Sequence, residues 1–373
     1  MNKGLKIFLI IVLSLLLLSI IALTILKIYQ EKNRPEEVNS KYSQTSIKVM
    51  QDLNLYDEIN SKEYSKTIEV LLEDNEFNTK YLNDYYQINY RSINNFSTII
   101  NELLDKTYNS EEINYIIANI SNNINILLNM EYIDILAFKD ISNFDINNIN
   151  RYLTYQEENE DYDLATIVTY VNIGLDIEGY SEYTEYTNEE AQNDLTILVN
   201  KYHKLPDDYV PNDLVSLSYN SNYYLRKEAA EAFERLTNAG ILDGIVFYPF
   251  SPYRSYDLQE RLYNGYVARD GREAADTYSA RPGFSEHQLG LAVDVRSSSL
   301  PDNLTPEDYE WMLNNSYKYG FIVRYPKGKQ HITQFIEEPW HLRYLGVELA
   351  TKVHDSGLTY DEYYDLYMKK TQD

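Results

Sequence analysis

Two of the chain's five histidines stand in settings that can do chemistry. His287 lies in Ser285-Glu286-His287-Gln288-Leu289-Gly290-Leu291-Ala292-Val293-Asp294, and His341 lies in Glu338-Pro339-Trp340-His341. Imidazoles and carboxylates are zinc donors, and His287, Asp294 and His341 together leave a fourth position for water, the open arrangement of a catalytic site. Glu338 is then placed to take a proton from that water. His287 and Asp294 are an odd number of positions apart, so one straight strand would point them to opposite faces. A bend at Gly290 resolves the conflict, with His287 on a turn and Asp294 on the strand that follows. A tight turn or a kink at Pro339 would aim Glu338 and His341 into one cavity. The competing reading is plain: two satisfied core histidines beside common acidic residues. Glu286 is a rival ligand, but its side chain diverges from that of His287, which puts it behind the ligands or on the surface.

The chain has no cysteine, so disulfides and thiolate ligands are both excluded and any metal must be held by His, Asp and Glu. The other three histidines read as structural. His203 precedes a proline-rich segment, His331 sits in a polar loop, and His354 lies near a helix end at Gly357, where a cation suits the helix dipole.

The elements that must position these residues lie in the C-terminal half, where most of the glycines and prolines are found. After Leu205-Pro206-Asp207-Asp208-Tyr209-Val210-Pro211, which cannot continue a helix, an amphipathic helix is expected over 226–239, stopping at Gly240. Short β-like runs follow at 245–248, 291–295 and 321–325, and Thr359-x-x-Glu362 is a capping box that starts the last helix. Residues 185–373 therefore read as an α+β domain.

The preceding region, 46–180, is all-α by its periodicity. Ile113, Ile116, Ile117, Ile120, Ile124, Leu127 and Leu128 recur at three and four, and a helix starts near Ser110. The segments 71–77 and 127–132 look faintly alike, which suggests a helical repeat. This region is either a binding module or, the preferred reading, a bundle that positions the next domain. No motif in it carries chemistry and none names a partner.

These motifs also resemble a known family. Tyr253-Arg254-Ser255-Tyr256, the run from Ser279 to Gln288, and Glu338-Pro339-Trp340-His341-Leu342-Arg343-Tyr344 are similar to VanY-type D-alanyl-D-alanine carboxypeptidases. That group of zinc peptidases carries S-x-H-x-x-G-x-A-x-D and E-x-x-H signatures. Ser285, His287, Gly290, Ala292 and Asp294 match the first, and Glu338 and His341 the second. The resemblance covers about half the chain. It implies a zinc peptidase domain with a small, mainly antiparallel sheet and helices, acting on the stem peptides of peptidoglycan. It implies Zn²⁺ on His287, Asp294 and His341, Glu338 as general base, and Arg254 facing the scissile carbonyl to stabilise the developing oxyanion. Gln259, Ser279, Ser285 and Trp340 would line the substrate site, although Trp340 equally suits core packing.

Four positions depart from the family pattern: Pro252 for a glycine, Leu289 for a threonine, Gln334 for a glycine, and Glu337 for an aromatic. None removes a ligand. Glu337 is expected to raise the pKa of Glu338 by adding charge beside it. On this scaffold the reading is removal of a terminal D-alanine. L,D-carboxypeptidase or endopeptidase action, and a zinc-containing wall-binding protein without turnover, are the alternatives.

At the other end, 7–26 is uncharged and apolar, and twenty helical residues at about 1.5 Å each span the roughly 30 Å hydrocarbon core. With no A-x-A site after it and no cysteine for lipoprotein processing, it reads as one uncleaved transmembrane helix. Residues 1–6 would be a cytoplasmic tail and 27–45 a stalk. Lys3 and Lys6 before the span are balanced by Lys27, Lys32 and Arg34 after it, so the extracellular placement of the rest follows from the chemistry rather than from charge. A net charge of −25 argues against nucleic acid or an anionic lipid face as a partner.

Overall fold

The structure, a computed structural model, describes residues 23–24, 41–119, 124–300 and 303–369. The tail, the span 7–26 (apart from Leu23 and Thr24) and most of the stalk lie outside these. Among the described residues no helix is long and apolar enough to cross a membrane. The chain forms two compact units, Met1–Ile133 and Asp134–Asp373. The region read as 46–180 is thus divided, and its last part, with the helices Ile149–Glu158 and Leu164–Asn172, belongs to the C-terminal unit.

The first unit is helical, as its periodicity requires. Helices Gln44–Asp52, Lys66–Glu73, Phe96–Asp105 and Ser110–Asn119 bury Ile47, Met50, Leu71, Leu72, Ile100, Leu103, Ile113 and Ile116. Three of these helices end alike. Asn54, Asn75 and Thr107 take left-handed backbone angles, and the next amide returns to a carbonyl five residues back: Leu55 to Met50, Glu76 to Leu71, Tyr108 to Leu103. This is the Schellman ending, which satisfies carbonyls left over at a helix C-terminus. Gly174 and Leu175 repeat it in the second unit. The recurrence is one of caps; the two segments 71–77 and 127–132 do not share it, since Met130 has no left-handed backbone.

The second unit is built on a four-stranded sheet. Short strands β1 (Thr184–Glu185) and β2 (His203–Lys204) pair in parallel, and β3 (Leu214–Leu217) with β4 (Asn220–Arg226) forms a hairpin. β5 (Phe247–Ser251), β6 (Ala292–Ser297), β7 (Phe321–Tyr325) and β8 (Glu338–Tyr344) are antiparallel neighbours in the order β5-β6-β8-β7. Alternation along these strands gives the sheet two unlike faces. Phe247, Val293, Val295, Phe321 and Leu342 enter a core with Ala229, Phe233 and Leu236 of the helix Lys227–Leu242. The opposite face carries Asp294 and its cross-strand partner His341.

That helix runs past the stop expected at Gly240. Gly240 lies inside it because a Cβ there would come within 2.7 Å of the Ile245 carbonyl and 2.8 Å of the Phe247 ring. The residue with the left-handed backbone is Gly244, one beyond the helix cap at Asp243. Besides β1 to β4, β8 is an element not foreseen: Glu338 to Tyr344 is a strand rather than a turn.

Candidate metal centre and active site

The first signature folds as its chemistry requires. Glu286–Leu289 is one turn of 3₁₀ helix closed by Gly290 in the left-handed conformation, and β6 begins at Ala292. At Gly290 a Cβ would sit 2.9 Å from the Leu214 side chain, so the bend needs glycine for both angle and space. For the second signature a tight turn or a kink at Pro339 is expected. Instead the register shifts within β8: Val323 pairs with Leu342 and Tyr325 with Glu338, setting two steps of β7 against four of β8. That irregular stretch lets Glu338 and His341 line one cavity despite their odd spacing.

His287, Asp294 and His341 are all buried, with one donor atom from each within 4.8 Å of the others. His287 Nδ1 donates to the Pro252 carbonyl at 2.8 Å, which fixes the tautomer and turns Nε2 inward, 3.4 Å from Asp294 Oδ2. His341 is held the other way round. Its Nε2 donates to Glu286 Oε2 at 3.2 Å, leaving Nδ1 3.2 Å from Asp294 Oδ1. With its proton on Nε2, Nδ1 presents a lone pair to a carboxylate oxygen that is buried and has no hydrogen-bond donor. Two buried acceptors facing each other suit a shared cation. Two imidazole nitrogens, one carboxylate oxygen and a free side form the donor set of catalytic zinc, so the residues fit the metal.

The electrostatics agree. Burial, then the Arg254 guanidinium, pulls His287 down to about 4, so it stays neutral as a ligand must. Burial also works against a charged His341, but the neighbouring Asp294 and Glu286 carboxylates prevail and push it up to about 9. Asp294 lies well below the usual carboxylate range because the nearby His287, His341 and Arg254 outweigh the effect of its burial. The pocket holds negative charge ready for a proton or a metal ion.

Glu338 Oε2 stands 3.5 Å from His341 Nδ1. Burial raises the Glu338 carboxyl to about 7, with Asp294 and Glu286 adding to the rise. The shift expected from Glu337 has this other origin. Arg254 Nη2 donates to Asp294 Oδ2 at 2.7 Å and Nε to Ser251 Oγ at 2.7 Å, so its guanidinium is fixed beside the donor cluster. Gln259 accepts from Arg254 Nη1 at 3.2 Å and donates to Ser279 Oγ at 3.3 Å and the Ala280 carbonyl at 2.7 Å. Ser279, Ser285, Gln259 and Trp340 all line the same cavity, about 480 Å³ in volume. Trp340 lines that cavity and also packs on the core.

Glu286 is neither ligand nor surface residue. Its carboxylate is fully buried and receives Arg324 Nε and Arg343 Nη1, both at 2.9 Å, besides His341. Arg324 continues to Asp361 at 2.6 Å, near the start of the last helix. Glu286 thus orients a ligand from behind. The signal that could have found this chain of charges is an arginine inside each of two apolar strands, Phe-Ile-Val-Arg-Tyr and His-Leu-Arg-Tyr, since a buried guanidinium requires a carboxylate partner. The remaining histidines are structural: His203 bonds Asn200 at 2.9 Å, His331 lies edge-on to Tyr170, and His354 stacks on Tyr317.

The VanY family profile, described as D-alanyl-D-alanine carboxypeptidase, matches residues 222–347. The bifunctional D-Ala-D-Ala dipeptidase and D-Ala-D-Ala carboxypeptidase VanXYC of Enterococcus gallinarum is 34% identical over 182 residues, 47% of this chain and 95% of its own length. The chain belongs to the VanY family of D-alanyl-D-alanine carboxypeptidases. Another VanY-type relative, the D-alanyl-D-alanine carboxypeptidase of Enterococcus faecalis, is 37% identical over 176 residues, 45% of this chain and 64% of that protein. Among solved structures, the LD-carboxypeptidase LdcB matches at 39% identity, covering 49% of this chain and 90% of its own, with a TM-score of 0.45. The vancomycin-resistance D,D-pentapeptidase VanY, solved as a variant in complex with Zn(II), matches at 38% identity, covering 45% of this chain and 97% of its own, with a TM-score of 0.41. The VanY match lies wholly within the C-terminal unit.

Proposed function

We propose that the chain is a zinc carboxypeptidase that removes the C-terminal D-alanine from peptidoglycan stem peptides. The observation that carries this reading is the convergence of His287, Asp294 and His341 on one point with Glu338 beside them. When bound, zinc supplies Lewis acidity, acidifying water and polarising the scissile carbonyl. His287 through Nε2, Asp294, and His341 through Nδ1 would hold it. Glu338, raised to about 7, takes the water's proton and returns it to the departing amine. Arg254 offers its guanidinium to the charge that grows on the carbonyl oxygen, and Gln259 holds that guanidinium in place. Ser279, Ser285 and Trp340 line the surface that the substrate contacts.

The intact Glu338 favours turnover over zinc-dependent binding alone, because a binding site has no use for a base. The substrate lies outside the cell membrane, which supports reading 7–26 as an anchor with both units external. The test is alanine release from defined penta- and tetrapeptide stems by the zinc-loaded chain. Release from the pentapeptide alone is expected. Release only from the tetrapeptide would replace D,D- by L,D-specificity, and release from neither overturns the carboxypeptidase reading.

A further inference from the structure

β5 is an edge strand of the sheet, and it carries aromatic side chains away from the metal centre. Tyr248 stands opposite Arg296 on β6. Arg296 follows Asp294 by two residues, so Tyr248 faces the same side of the sheet as the Asp294 carboxylate. Phe250, on the same strand, lines the cavity and has the Arg296 guanidinium 3.1 Å from its ring centroid. Beyond it, the Tyr248 ring stacks on Tyr219, with centroids 5.6 Å apart and planes only 10° from parallel.

Tyr219 is at the tip of the β3–β4 hairpin and is 60% exposed. The tip is anchored: the neighbouring Ser218 donates its hydroxyl and its amide to Glu234 on the helix Lys227–Leu242. A tyrosine that only completed a core would not stand exposed on a tethered turn. Phe250, Tyr248 and Tyr219 form a shelf continuous with the cleft that holds the metal donors.

The shelf's distance from the metal is informative. Asp294 to Arg296 is about 6.6 Å along the strand, and one interstrand step of about 4.8 Å leads to Tyr248. The Tyr219 ring lies 5.6 Å farther. The outer part of the shelf is therefore about 8 to 14 Å from the Asp294 backbone, beside which the scissile bond would lie. Three or four extended peptide residues span about 10–14 Å, and that is the length of stem between the cleaved bond and the sugar on which a stem peptide is built. Resting on the function proposed above, we propose that Tyr248 and Tyr219 form a sugar-binding shelf for the N-acetylmuramic acid ring at the head of the stem. The C–H face of a pyranose lies flat on exposed tyrosine rings, whose amphipathic character suits a ligand apolar on one side and wet on the other.

The test compares free pentapeptide with N-acetylmuramyl-pentapeptide on the full zinc-loaded chain in detergent. The measurements are kcat/KM and, on the Glu338→Gln variant, equilibrium binding. The muramyl ligand is expected to bind about 2- to 10-fold tighter, the range of one aromatic contact, with the gain in KM rather than kcat. Tyr219→Ala and Tyr248→Ala should each reduce that preference while leaving turnover of free pentapeptide unchanged. Equal binding of the two ligands, or a preference that survives both substitutions, overturns the shelf. Release of alanine from the free pentapeptide reports on the metal centre separately, so the two readings fail independently.

Discussion

Glu286 holds His341 by Nε2 at 3.2 Å, so His341 can face the metal position only through Nδ1. His287 is oriented in the opposite sense, with Nδ1 on the Pro252 carbonyl. One imidazole is backed by an anion and the other by a neutral dipole, so the two ligands differ in basicity although their residue type is the same. The anionic backing should make His341 the stronger donor.

Glu286→Gln should therefore weaken metal binding by about 10- to 100-fold, the usual loss when a ligand's outer partner is removed. Competition against a chromogenic zinc chelator measures it. The amide keeps the shape of the carboxylate, so unchanged affinity would mean that the charge on Glu286 serves only Arg324 and Arg343.

Glu338→Gln should leave zinc content intact and cut kcat by about 10²- to 10⁴-fold, the size of a general-base contribution. The base works when deprotonated, and its carboxyl is raised to about 7 by burial. Activity of the native chain should then climb as pH rises through an acid limb at or somewhat below 7, since a bound cation favours the carboxylate. A rate independent of pH from 4 to 8 would remove Glu338 from that role.

Acid should also loosen the fold at a histidine outside the metal-donor set. Burial, then the charge of Lys369, depresses His203 to about 4, against about 6.5 in an unfolded chain. Between these values the unfolded state binds more protons, so stability falls as pH is lowered from about 6.5 to about 4. His203→Gln should flatten that part of the profile in urea titrations at pH 7, 5.5 and 4.5. An unchanged slope would assign the acid sensitivity to other groups.

The division at 133/134 predicts where a stable fragment begins. Asp365 on the last helix accepts from Asn143 at 2.6 Å and from Asn172 at 3.3 Å. A fragment of 134–373 should melt well above one of 185–373, which leaves that carboxylate without either amide. Equal melting temperatures by calorimetry would show that 134–184 is dispensable.

Much of the centre was legible because its residues lie in two short segments whose spacing constrains them. His287, Gly290 and Asp294 define a turn followed by a strand, and Gly290 is required there by both backbone angle and space. Glu338 and His341 were paired correctly, yet the register shift that reconciles their odd spacing depends on how β7 lies against β8, and no local pattern encodes that. The role of Glu286 was hidden for a similar reason. Its three partners, Arg324, His341 and Arg343, come from two other strands, and only tertiary packing brings them to one carboxylate. Gly240 misled because a glycine near a helix end usually marks the stop, whereas here the neighbouring chain needs its missing side chain.

The Asn143–Asp365–Asn172 clamp also bears on how such chains can be rearranged in evolution. A hydrolase inherited by recombination at residue 180 would arrive with an orphaned carboxylate in its terminal helix, whereas a crossover near 133 would transfer donors and acceptor together. Upstream helices ending before that seam can be lengthened, shortened or exchanged without disturbing the clamp, so the N-terminal unit is free to vary while the chemistry stays constant.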